Sequence, residues 1–392
     1  MKKTVKDIPL KGKRVLMRVD FNVPQNDKGE ITDDSRIKGA LPTINYVLGQ
    51  GAKLVLMSHL GRPDGQIMPE FTLKPVAERL TVLTGKKVVM TNDCIGHEVE
   101  NVVNKMKEGE VVLLENLRFH KGETKNDKEF AKSLSKLGDI FVEDAFGTCH
   151  RAHASTAGVT EYLPGVAGFL VEKEIEYFDK VTRTPEKPFS LILGGSKVSD
   201  KILMIENMLG KIDNLIIGGA MAYTFLKAMG KNVGNSKVEN DKMDVVNKIL
   251  SSAKQKNVKI YLPIDHVIAK EIKDGVETKT VKDAIPEGWL GLDIGIETIA
   301  LFKDALKNSK TIVWNGPLGL FEKKQFAVGT LEVAKFISTI KTISVIGGGD
   351  TAAAIIGMGL SDKMSHISTG GGASLECLEG KEMPGIKVLQ DK

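Results

Sequence analysis

The sequence is poor in cysteine and has no long apolar run, and these absences exclude several classes of protein. Its 392 residues include three cysteines, Cys94, Cys149 and Cys377, which are odd in number and far apart. Such a set predicts neither a disulfide framework nor a CxxC metal site, and it favours a reducing, cytoplasmic setting. No run of about 18 apolar residues is present to span a membrane. No apolar segment typical of a secretory signal precedes Lys11.

Aromatic residues are also scarce, at 5% of the chain. They offer few platforms for base stacking, and the net charge of +5 is spread thinly over the whole length. We therefore expect no nucleic-acid partner and no membrane partner. An apolar content of 42% with 27% charged residues is typical of an ordinary globular protein, and the length predicts two domains.

Arginine is absent from residues 184–392, although lysine occurs throughout. The eight arginines are Arg14, Arg18, Arg36, Arg62, Arg79, Arg118, Arg151 and Arg183. Arginine can bind phosphate or carboxylate through two N–H groups at once, whereas lysine acts as a mobile point charge. The distribution predicts that the first half binds anions by means that the second half does not use.

Short runs rich in Val, Ile and Leu alternate with helical patterns in both halves of the chain. The predicted strands are Arg14–Val19, Lys53–Met57, Val88–Met90, Val111–Leu114 and Ile140–Val142, then Ser190–Leu193, Asn214–Ile217, Lys259–Leu262, Thr311–Trp314 and Thr342–Ile346. This pattern predicts an α/β protein with two doubly wound, parallel-sheet, Rossmann-like domains. An amphipathic helix at Val171–Lys180, followed by Pro185 and Pro188, marks the boundary.

Charged residues follow the predicted strands of the first half. His59 and Arg62 follow the second strand, Arg118 the fourth and Arg151 the fifth, while Arg36 lies at a helix start. Ligands of open α/β sheets bind at the carboxyl ends of the strands, so this set predicts a site for a small, highly charged anion such as a phosphorylated acid. Any one of these arginines alone is better explained as a solvated surface charge.

Three further residue groups near these strand ends have competing interpretations. Asp20 and Asn22, after the first strand, could orient substrate hydroxyls. His150 and His153 could ligate a metal, but no third ligand lies at a suitable spacing, so anion binding or loop packing is favoured. A nucleophile made of Cys149 and His150 is disfavoured, because adjacent side chains point in different directions.

Glycines follow strands in the second half and precede helices. The pairs Gly194-Gly195 and Gly218-Gly219 and the run Gly347–Gly349 allow backbone N–H groups to approach a phosphate closely. Asp350 then either binds a Mg²⁺ that bridges nucleotide phosphates or simply caps its helix, and local sequence leaves both open. No Walker A motif and no GxGxxG motif is present.

Two lysines and two further loops belong to the same predicted nucleotide site. Lys197 and Lys201 would share one helix face if both are helical, and they would contact phosphates or solvent. The loop at 314–322 follows a strand, and Gly370–Gly372 precede another short helix. These features alone also suit another small-molecule kinase or a nucleotide-dependent ligase. A dehydrogenase or a non-enzymatic binding protein with two α/β lobes is a weaker alternative.

Taken together, seven motifs resemble those of the phosphoglycerate kinase family, in the family's order and across essentially the whole chain. They are RVDFNVP at 18–24, SHLGRP at 58–63, ENLRF at 115–119, DAFGTCHRAHAS at 144–155, GGSKVSDKI at 194–202, WNGPLGLFE at 314–322 and GGGDTAAA at 347–354. Family motifs often have a small residue at the position of Cys149, and this departure puts no proposed role in doubt.

The resemblance implies Mg²⁺-dependent, direct in-line phosphoryl transfer from 1,3-bisphosphoglycerate to ADP, giving 3-phosphoglycerate and ATP in glycolysis. Asp20 and Asn22 would contact the carboxylate and hydroxyl end of the triose. His59, Arg62, Arg118 and Arg151 would bind its 3-phosphate, and Arg36 would approach the transferring phosphoryl group. The family also implies a cytoplasmic monomer.

For the nucleotide, the resemblance implies an adenine pocket shaped by Gly194, Gly195, Gly218, Gly219, Gly291 and Leu292. Asn315, Pro317 and Glu322 would hold the ribose and phosphates. Lys201 and the backbone at Gly348, Gly349 and Thr351 would bind phosphates, with Asp350 on the Mg²⁺. Lys197, Gly371 and Gly372 would stabilise the transferring group after hinge-bending closure.

The implied domain organisation has four parts. A triose-binding domain spans 1–170, a linker with the interdomain helix spans 171–188, a nucleotide-binding domain spans 189–377, and a tail, 378–392, packs on the first domain.

Overall fold

The computed structural model describes all 392 residues and divides into two compact units. Unit 1 comprises Met1–Glu176 and Glu382–Lys392, and unit 2 comprises Tyr177–Lys381. No helix combines the length and the apolar character that crossing a bilayer requires.

Unit 1 is built on a six-stranded parallel sheet. Its strands are β1 (Arg14–Arg18), β2 (Lys53–Met57), β3 (Val88–Met90), β4 (Val111–Leu113), β5 (Ile140–Glu143) and β6 (Gly165–Ala167). The order across the sheet is β3-β4-β2-β1-β5-β6, and β1 pairs in parallel with both β2 and β5. Consecutive residues of the central strands are buried, so both faces of the sheet are covered, and the strands are apolar except at their ends.

The helices of unit 1 connect these parallel strands. They are α1 (Ser35–Gly49), α2 (Lys74–Thr84), α3 (His97–Asn104), α4 (Lys121–Thr124) and α5 (Lys128–Ser135). A further helix, α6 (Phe169–Thr182), follows β6 and includes the last residues of this part of unit 1 and the first of unit 2. In α1 the buried residues Ile37, Ala40, Ile44 and Val47 recur every three to four positions, and they pack in the core with the strands. In α2, Pro75 lies in the first turn and Gly85 ends the helix with a left-handed backbone conformation.

The carboxyl-terminal segment belongs to unit 1 and includes a short helix, which we number last, α14 (Pro384–Lys387). The Gly385 N–H donates to the Cys149 carbonyl at 2.9 Å, and the Gln390 N–H donates to the Gly165 carbonyl at 2.9 Å. Leu389 is buried, and a side chain at Gly385 would meet Cys149 at about 3 Å. These contacts fix the tail to the loops that follow β5.

Unit 2 contains a second six-stranded parallel sheet. Its strands are β7 (Phe189–Leu193), β8 (Asn214–Ile217), β9 (Lys259–Tyr261), β13 (Thr311–Asn315), β14 (Ile343–Gly347) and β15 (His366–Ile367). A separate sheet contains three further strands, β10 (Asp265–Ala269), β11 (Lys279–Lys282) and β12 (Leu290–Ile294). The order in the parallel sheet is β15-β14-β13-β7-β8-β9, and β10 is the centre of the three-stranded antiparallel sheet.

Most helices of unit 2 follow strands of its parallel sheet, and α10 follows β12 of the antiparallel sheet. They are α7 (Ile202–Met208), α8 (Met221–Ala228), α9 (Met243–Gln255), α10 (Ile296–Leu306), α11 (Val328–Ile337), α12 (Gly349–Gly357) and α13 (Gly372–Leu378). Trp314 on β13 is fully buried among the apolar residues of this unit, and its indole N–H donates to the Gly316 carbonyl at 2.8 Å.

Two parallel α/β sheets and a returning tail confirm the predicted fold class. The antiparallel sheet of unit 2 was not predicted. Its strand β11, Lys-Thr-Val-Lys, is mostly exposed and has no apolar run, while β6 and β15 are too short to give a sequence signal.

The prediction of a shared helix face for Lys197 and Lys201 is wrong. Helix α7 begins only at Ile202, and both lysines lie in the turns between β7 and α7. The lysines can therefore take independent positions in the loop.

Truncation of Leu389 tests how much the tail contributes to unit 1. We expect Leu389→Ala to lower the free energy of unfolding by about 2–4 kcal/mol, because it removes buried apolar atoms and leaves a cavity. Its neighbour Val388 is 39% exposed, so Val388→Ala should change stability by only about 0.5 kcal/mol. Urea unfolding followed by circular dichroism measures both, and equal losses in the two variants would show that the tail is not a packed part of the unit.

Candidate functional site

The carboxyl ends of β1, β2, β4 and β5 lie at one edge of the first sheet. The loops that follow them contain His59, Arg62, Arg118 and Arg151. Because β4, β2, β1 and β5 are neighbours in the sheet, these loops are brought together by topology alone.

A buried hydrogen-bond network starts from Arg18, the last residue of β1. Its guanidinium is fully buried and donates to Ser155 Oγ at 2.9 Å and to His59 Nδ1 at 3.0 Å. Ser155 Oγ donates in turn to Glu123 Oε1 at 2.6 Å, and His153 Nδ1 lies 3.6 Å from the same carboxylate oxygen. The buried positive charge of Arg18 is thereby balanced by the buried carboxylate of Glu123.

This network changes the pKa of two of its members. Burial is the largest effect on His59, and with the charges of Arg18 and Arg118 it lowers the histidine pKa well below its usual value. The ring is therefore neutral, and its Nδ1 accepts the hydrogen bond from Arg18. Burial would raise the pKa of Glu123, but the nearby His153 ring, the charge of Arg18 and the hydrogen bond from Ser155 outweigh it and lower that pKa.

Beside this network lies a cavity of about 420 Å³ with a strongly basic wall. It is lined by Arg62, Asp64, Gly65, Arg118, His120, Thr124, Arg151 and His153. Arg118 is largely buried, which together with the charges of Arg18 and Arg151 lowers its pKa to about 10. Its Nη1 donates to the Gly61 carbonyl at 2.7 Å, while its buried Nε has no hydrogen-bond partner. An unpaired N–H in a basic cavity is suited to an anion.

Asn116 holds two of the loops around this cavity together. Its side-chain amide donates to the Leu60 and Phe71 carbonyls at 2.7 and 2.9 Å. Its side-chain oxygen accepts from the backbone N–H of Arg118 at 3.0 Å. The loop after β2 and the loop after β4 are thus fixed to each other by one buried side chain.

Asp20, Asn22 and Arg36 lie near this edge but do not line the cavity, and neither does the buried His59, whose Nδ1 is bound to Arg18. Arg36 forms an ion pair with Asp20, and the Asn22 side-chain oxygen accepts the Gly61 N–H at 2.9 Å. The guanidinium of Arg36 is 37% exposed, so it can still reach a ligand.

Unit 2 has a cavity of about 280 Å³ where its strands meet the following helices. It is lined by Gly194, Gly195, Ser196, Lys197, Asp200, Lys201, Asn315, Gly316, Pro317, Gly348, Gly349, Asp350, Thr351, Gly371, Gly372 and Leu375. Twelve of the residues named for the nucleotide or the transferring group are therefore brought to one place. No arginine is among them.

Two glycines are required by the close approach of the loops that follow β7 and β13. A Cβ at Gly194 would lie 2.1 Å from the Pro317 carbonyl oxygen, and one at Gly316 would lie 2.2 Å from the Gly194 carbonyl oxygen. The Gly195 N–H donates to the Pro317 carbonyl at 2.9 Å, and Thr351 Oγ1 accepts the Gly316 N–H at 2.6 Å. The wall of this cavity therefore consists of backbone segments from two loops in direct contact.

The two lysines of the cavity differ in environment. Lys201 is partly buried, its ammonium donates to Asn315 Oδ1 at 2.6 Å, and burial lowers its pKa although the nearby Asp200 opposes this. Lys197 is exposed. Lys201 is thus a fixed cation within the wall, and Lys197 is a movable one.

Two helix N-termini face this cavity. Gly348 precedes α12 with φ of 84°, and Gly371 precedes α13 with φ of 52°. A Cβ at Gly349, Gly371 or Gly372 would meet nothing within 4 Å, so the backbone here borders open space. Asp350, the second residue of α12, is an exposed carboxylate among these N–H groups.

Five residues named for the nucleotide do not line this cavity. Gly218 and Gly219 pack behind its wall, where side chains would collide with Leu318 and Gly195. Gly291 and Leu292 lie on β12 of the antiparallel sheet, and Gly291 packs against the Tyr223 hydroxyl. Glu322 is exposed.

Sequence reasoning missed the residues that support the basic cavity. Glu123, Ser155 and Asn116 were not singled out, and Arg18 was given no role beyond its place at a strand end. His120 was also missed, although it follows Arg118 by two positions and lines the same cavity. A carboxylate and two polar side chains in loops have no distinctive spacing, so only the fold reveals them.

Comparisons with known proteins give a consistent result over the whole chain. The family model described as phosphoglycerate kinase matches residues 5–381. The phosphoglycerate kinase of Thermosipho africanus is 58% identical, covering 100% of this chain and 98% of its own, and that of Pseudothermotoga lettingae is 56% identical with 100% of both covered.

Solved structures are similar as well. Phosphoglycerate kinase from Coxiella burnetii superposes with a TM-score of 0.91 at 42% identity, and that from Pyrococcus horikoshii with 0.86 at 33%. Each covers 99% of this chain and 98% of its own.

The neutral state of His59 predicts a loss of stability in mild acid. The unfolded chain protonates this histidine below pH 6.5, whereas the fold holds it neutral, so the unfolded state binds more protons and stability falls as pH falls through that value. His59→Asn should reduce this slope by up to about 1.4 kcal/mol per pH unit.

Urea unfolding between pH 5 and 7 measures this slope, and the exposed histidine variant His97→Asn serves as the control. Some slope will remain, because burial also lowers the pKa of His266 in unit 2 to about 4. An unchanged slope in His59→Asn would contradict the neutral assignment.

Proposed function

Because the chain belongs to the phosphoglycerate kinase family and is therefore a kinase of glycolysis, we propose that its two cavities bind the two substrates of that reaction. The observation that supports this best is the contrast between the cavities. One has a wall of three arginines and two histidines, and the other has a wall of glycine backbone, two helix N-termini and two lysines. Action as a cytoplasmic monomer, without nucleic-acid or membrane partners, belongs to the same proposal.

In unit 1 the basic cavity binds the 3-phosphate of 3-phosphoglycerate or 1,3-bisphosphoglycerate. Arg62, Arg118 and Arg151 supply the charge, and the unpaired Nε–H of Arg118 is a donor for a phosphate oxygen. His59 positions Arg18 by accepting a hydrogen bond from its guanidinium. Asp20 and Asn22 orient the carboxylate and hydroxyl end, and the exposed guanidinium of Arg36 meets the transferring phosphoryl group.

In unit 2 the cavity binds the phosphates of ADP or ATP. Lys201 and the N–H groups of Gly348, Gly349 and Thr351 contact the phosphates, and Asn315, which accepts a hydrogen bond from Lys201, and Pro317 line the same cavity and help to hold the ribose and phosphates. Gly194, Gly195, Gly218, Gly219, Gly291 and Leu292 shape the adenine pocket, with Glu322 at the ribose.

The residues present also fit a Mg²⁺ ion. The exposed carboxylate of Asp350 would repel a phosphate at the N-terminus of α12, so a hard cation between them resolves the conflict. Asp350 is the residue that would hold the ion. When bound, Mg²⁺ neutralises charge on the nucleotide phosphates.

Phosphoryl transfer depends on positioning and charge neutralisation, since the protein forms no covalent bond to the group. The acyl phosphate and the ADP oxygen must meet in line with water excluded, so we propose a hinge-bending closure that joins the two bound ligands. Arg36, Lys197 and the backbone N–H groups of Gly371 and Gly372 then surround the transferring group.

A coupled assay tests the activity: ATP and 3-phosphoglycerate are supplied, and NADH oxidation is followed through the next glycolytic enzyme. Activity should require Mg²⁺ and disappear with a chelator. A well-folded protein without activity under these conditions would overturn the proposal.

Arg36→Ala and Lys197→Ala should lower kcat by roughly two to three orders of magnitude, about 3–4 kcal/mol of barrier, because each removes charge from the transferring group. The nucleotide KM should change little. The same assay measures both constants, with the exposed lysine variant Lys86→Ala as control. A near-normal kcat in both variants would remove these residues from the transfer step.

Arg62→Ala should behave differently, because Arg62 contacts a phosphate that does not react. We expect a rise in the KM for 3-phosphoglycerate with a much smaller change in kcat. A loss confined to kcat would place Arg62 at the reacting group instead.

Gly349→Ala tests the nucleotide cavity without disturbing the fold. A methyl group there meets no protein atom but occupies the space proposed for phosphates, so the KM for ATP should rise roughly tenfold while the melting temperature stays constant. Gly357 ends the same helix and is equally unobstructed, so Gly357→Ala is the matched control. Equal KM values in the two variants would show that phosphates do not approach Gly349.

A further inference from the structure

A second cluster of polar side chains lies beside the basic cavity and shares His120 with its wall. It consists of Asp93 and Cys94, after β3, and His120, after Arg118, and we name it the 93/94/120 cluster. One ligand atom from each residue, the Asp93 carboxylate oxygen, the Cys94 Sγ and a ring nitrogen of His120, lies within 4.8 Å of the other two. The three residues come from two different loops, so the fold brings them together.

The loops that hold the cluster are fixed. Thr91 Oγ1 donates to the Asp93 carbonyl at 2.6 Å, and the Thr91 N–H donates to the Leu113 carbonyl on β4 at 3.1 Å. The His120 ring packs against Phe130, with ring centroids 5.2 Å apart. Cys94 is fully buried beneath the other two residues, and the side chains of Asp93 and His120 are 48% and 31% exposed.

A thiol, an imidazole and a carboxylate form a characteristic donor set. Hard cations such as Mg²⁺ and Ca²⁺ prefer oxygen donors alone, whereas zinc takes sulfur, nitrogen and oxygen in a tetrahedron. Three protein ligands leave one position for water, which the partial exposure of Asp93 and His120 allows. Asp93 also lines a separate cavity of about 240 Å³, which gives an ion a route to the cluster from solvent.

We propose that the 93/94/120 cluster is a binding site for a zinc-type divalent cation, with Asp93, Cys94 and His120 as its protein ligands. On binding, the Cys94 thiol loses its proton to solvent and coordinates as thiolate. The site is distinct from the nucleotide Mg²⁺ proposed at Asp350, which lies in unit 2 and has no sulfur donor assigned to it.

One local adjustment is required for binding. Asp93 Oδ1 and His120 Nε2 are 2.6 Å apart in a direct hydrogen bond. Two ligands at about 2.0 Å from a tetrahedral zinc are separated by about 3.3 Å, so this pair must open by roughly 0.7 Å. Both side chains are partly exposed, and small torsional changes provide that movement.

The experiment uses the full chain without a metal-affinity tag, stripped with a chelator and kept reduced, in the absence of substrates. Zinc binding is measured by competition with a chromophoric chelator, and Co²⁺ is then added as a spectroscopic substitute. We expect one zinc per chain and, with cobalt, a near-ultraviolet thiolate-to-metal band together with the visible bands of a tetrahedral ion.

Cys94→Ser, Asp93→Asn and His120→Asn keep the side-chain sizes similar and test each ligand. Each should weaken zinc binding by about tenfold or more, and Cys94→Ser should abolish the thiolate band. The control is Cys377→Ser, which replaces a thiol on α13 of unit 2. It should bind zinc like the wild type.

Two results would overturn the proposal. One is a wild-type protein that binds less than one zinc per chain or gives no thiolate band. The other is a band that persists in Cys94→Ser or disappears in Cys377→Ser. Circular dichroism of every variant distinguishes a loss of zinc binding from a loss of folding. Because no substrate is present, the zinc measurements test this proposal independently of the kinase assays.

Discussion

Positively charged side chains lie close together at one edge of the first sheet, and unit 1 must offset their mutual repulsion. Arg18, Arg118 and His59 are all largely buried there, and Arg62 and Arg151 lie close by. The fold meets this constraint in three ways. It places the buried Glu123 carboxylate in the network of Arg18, it keeps His59 neutral, and it gives Arg118 a backbone carbonyl as partner. Without these, desolvated cations could not be held together in the absence of ligand.

In the function proposed above, unit 2 binds phosphates with far fewer charged side chains. Its cavity wall is backbone from the loops after β7, β13 and β14, and the positive potential comes from N–H groups at the starts of α12 and α13. Only Lys201 and Lys197 add formal charge, and Asp200 and Asp350 offset it. The absence of arginine after Arg183 is consistent with a cavity whose binding groups are dipoles, although nothing in the geometry forbids an arginine there.

Sequence patterns predicted the parallel sheets well, because a buried strand such as β13 is an apolar run. The antiparallel sheet was missed because β11 is short and polar. The family resemblance supplied residues such as Gly291 that no local pattern indicates. The supporting network of Glu123, Ser155 and Asn116 could not be predicted at all, since its members lie on separate loops and meet only through strand order.

The two ways of binding phosphate differ in what they tolerate. In unit 1 the proposed binding groups are long side chains, so a substitution changes charge and leaves the backbone in place, provided that Arg18 and Glu123 remain linked through Ser155. In unit 2 the binding groups are backbone atoms, and at Gly194 and Gly316 a single added carbon would lie about 2 Å from another loop's carbonyl oxygen. Such a collision can be relieved only by moving the loop that forms the cavity. If the cavities bind as proposed, substitutions in unit 1 would act mainly through electrostatics, which respond to pH and salt, whereas substitutions of these glycines in unit 2 would act mainly through steric fit.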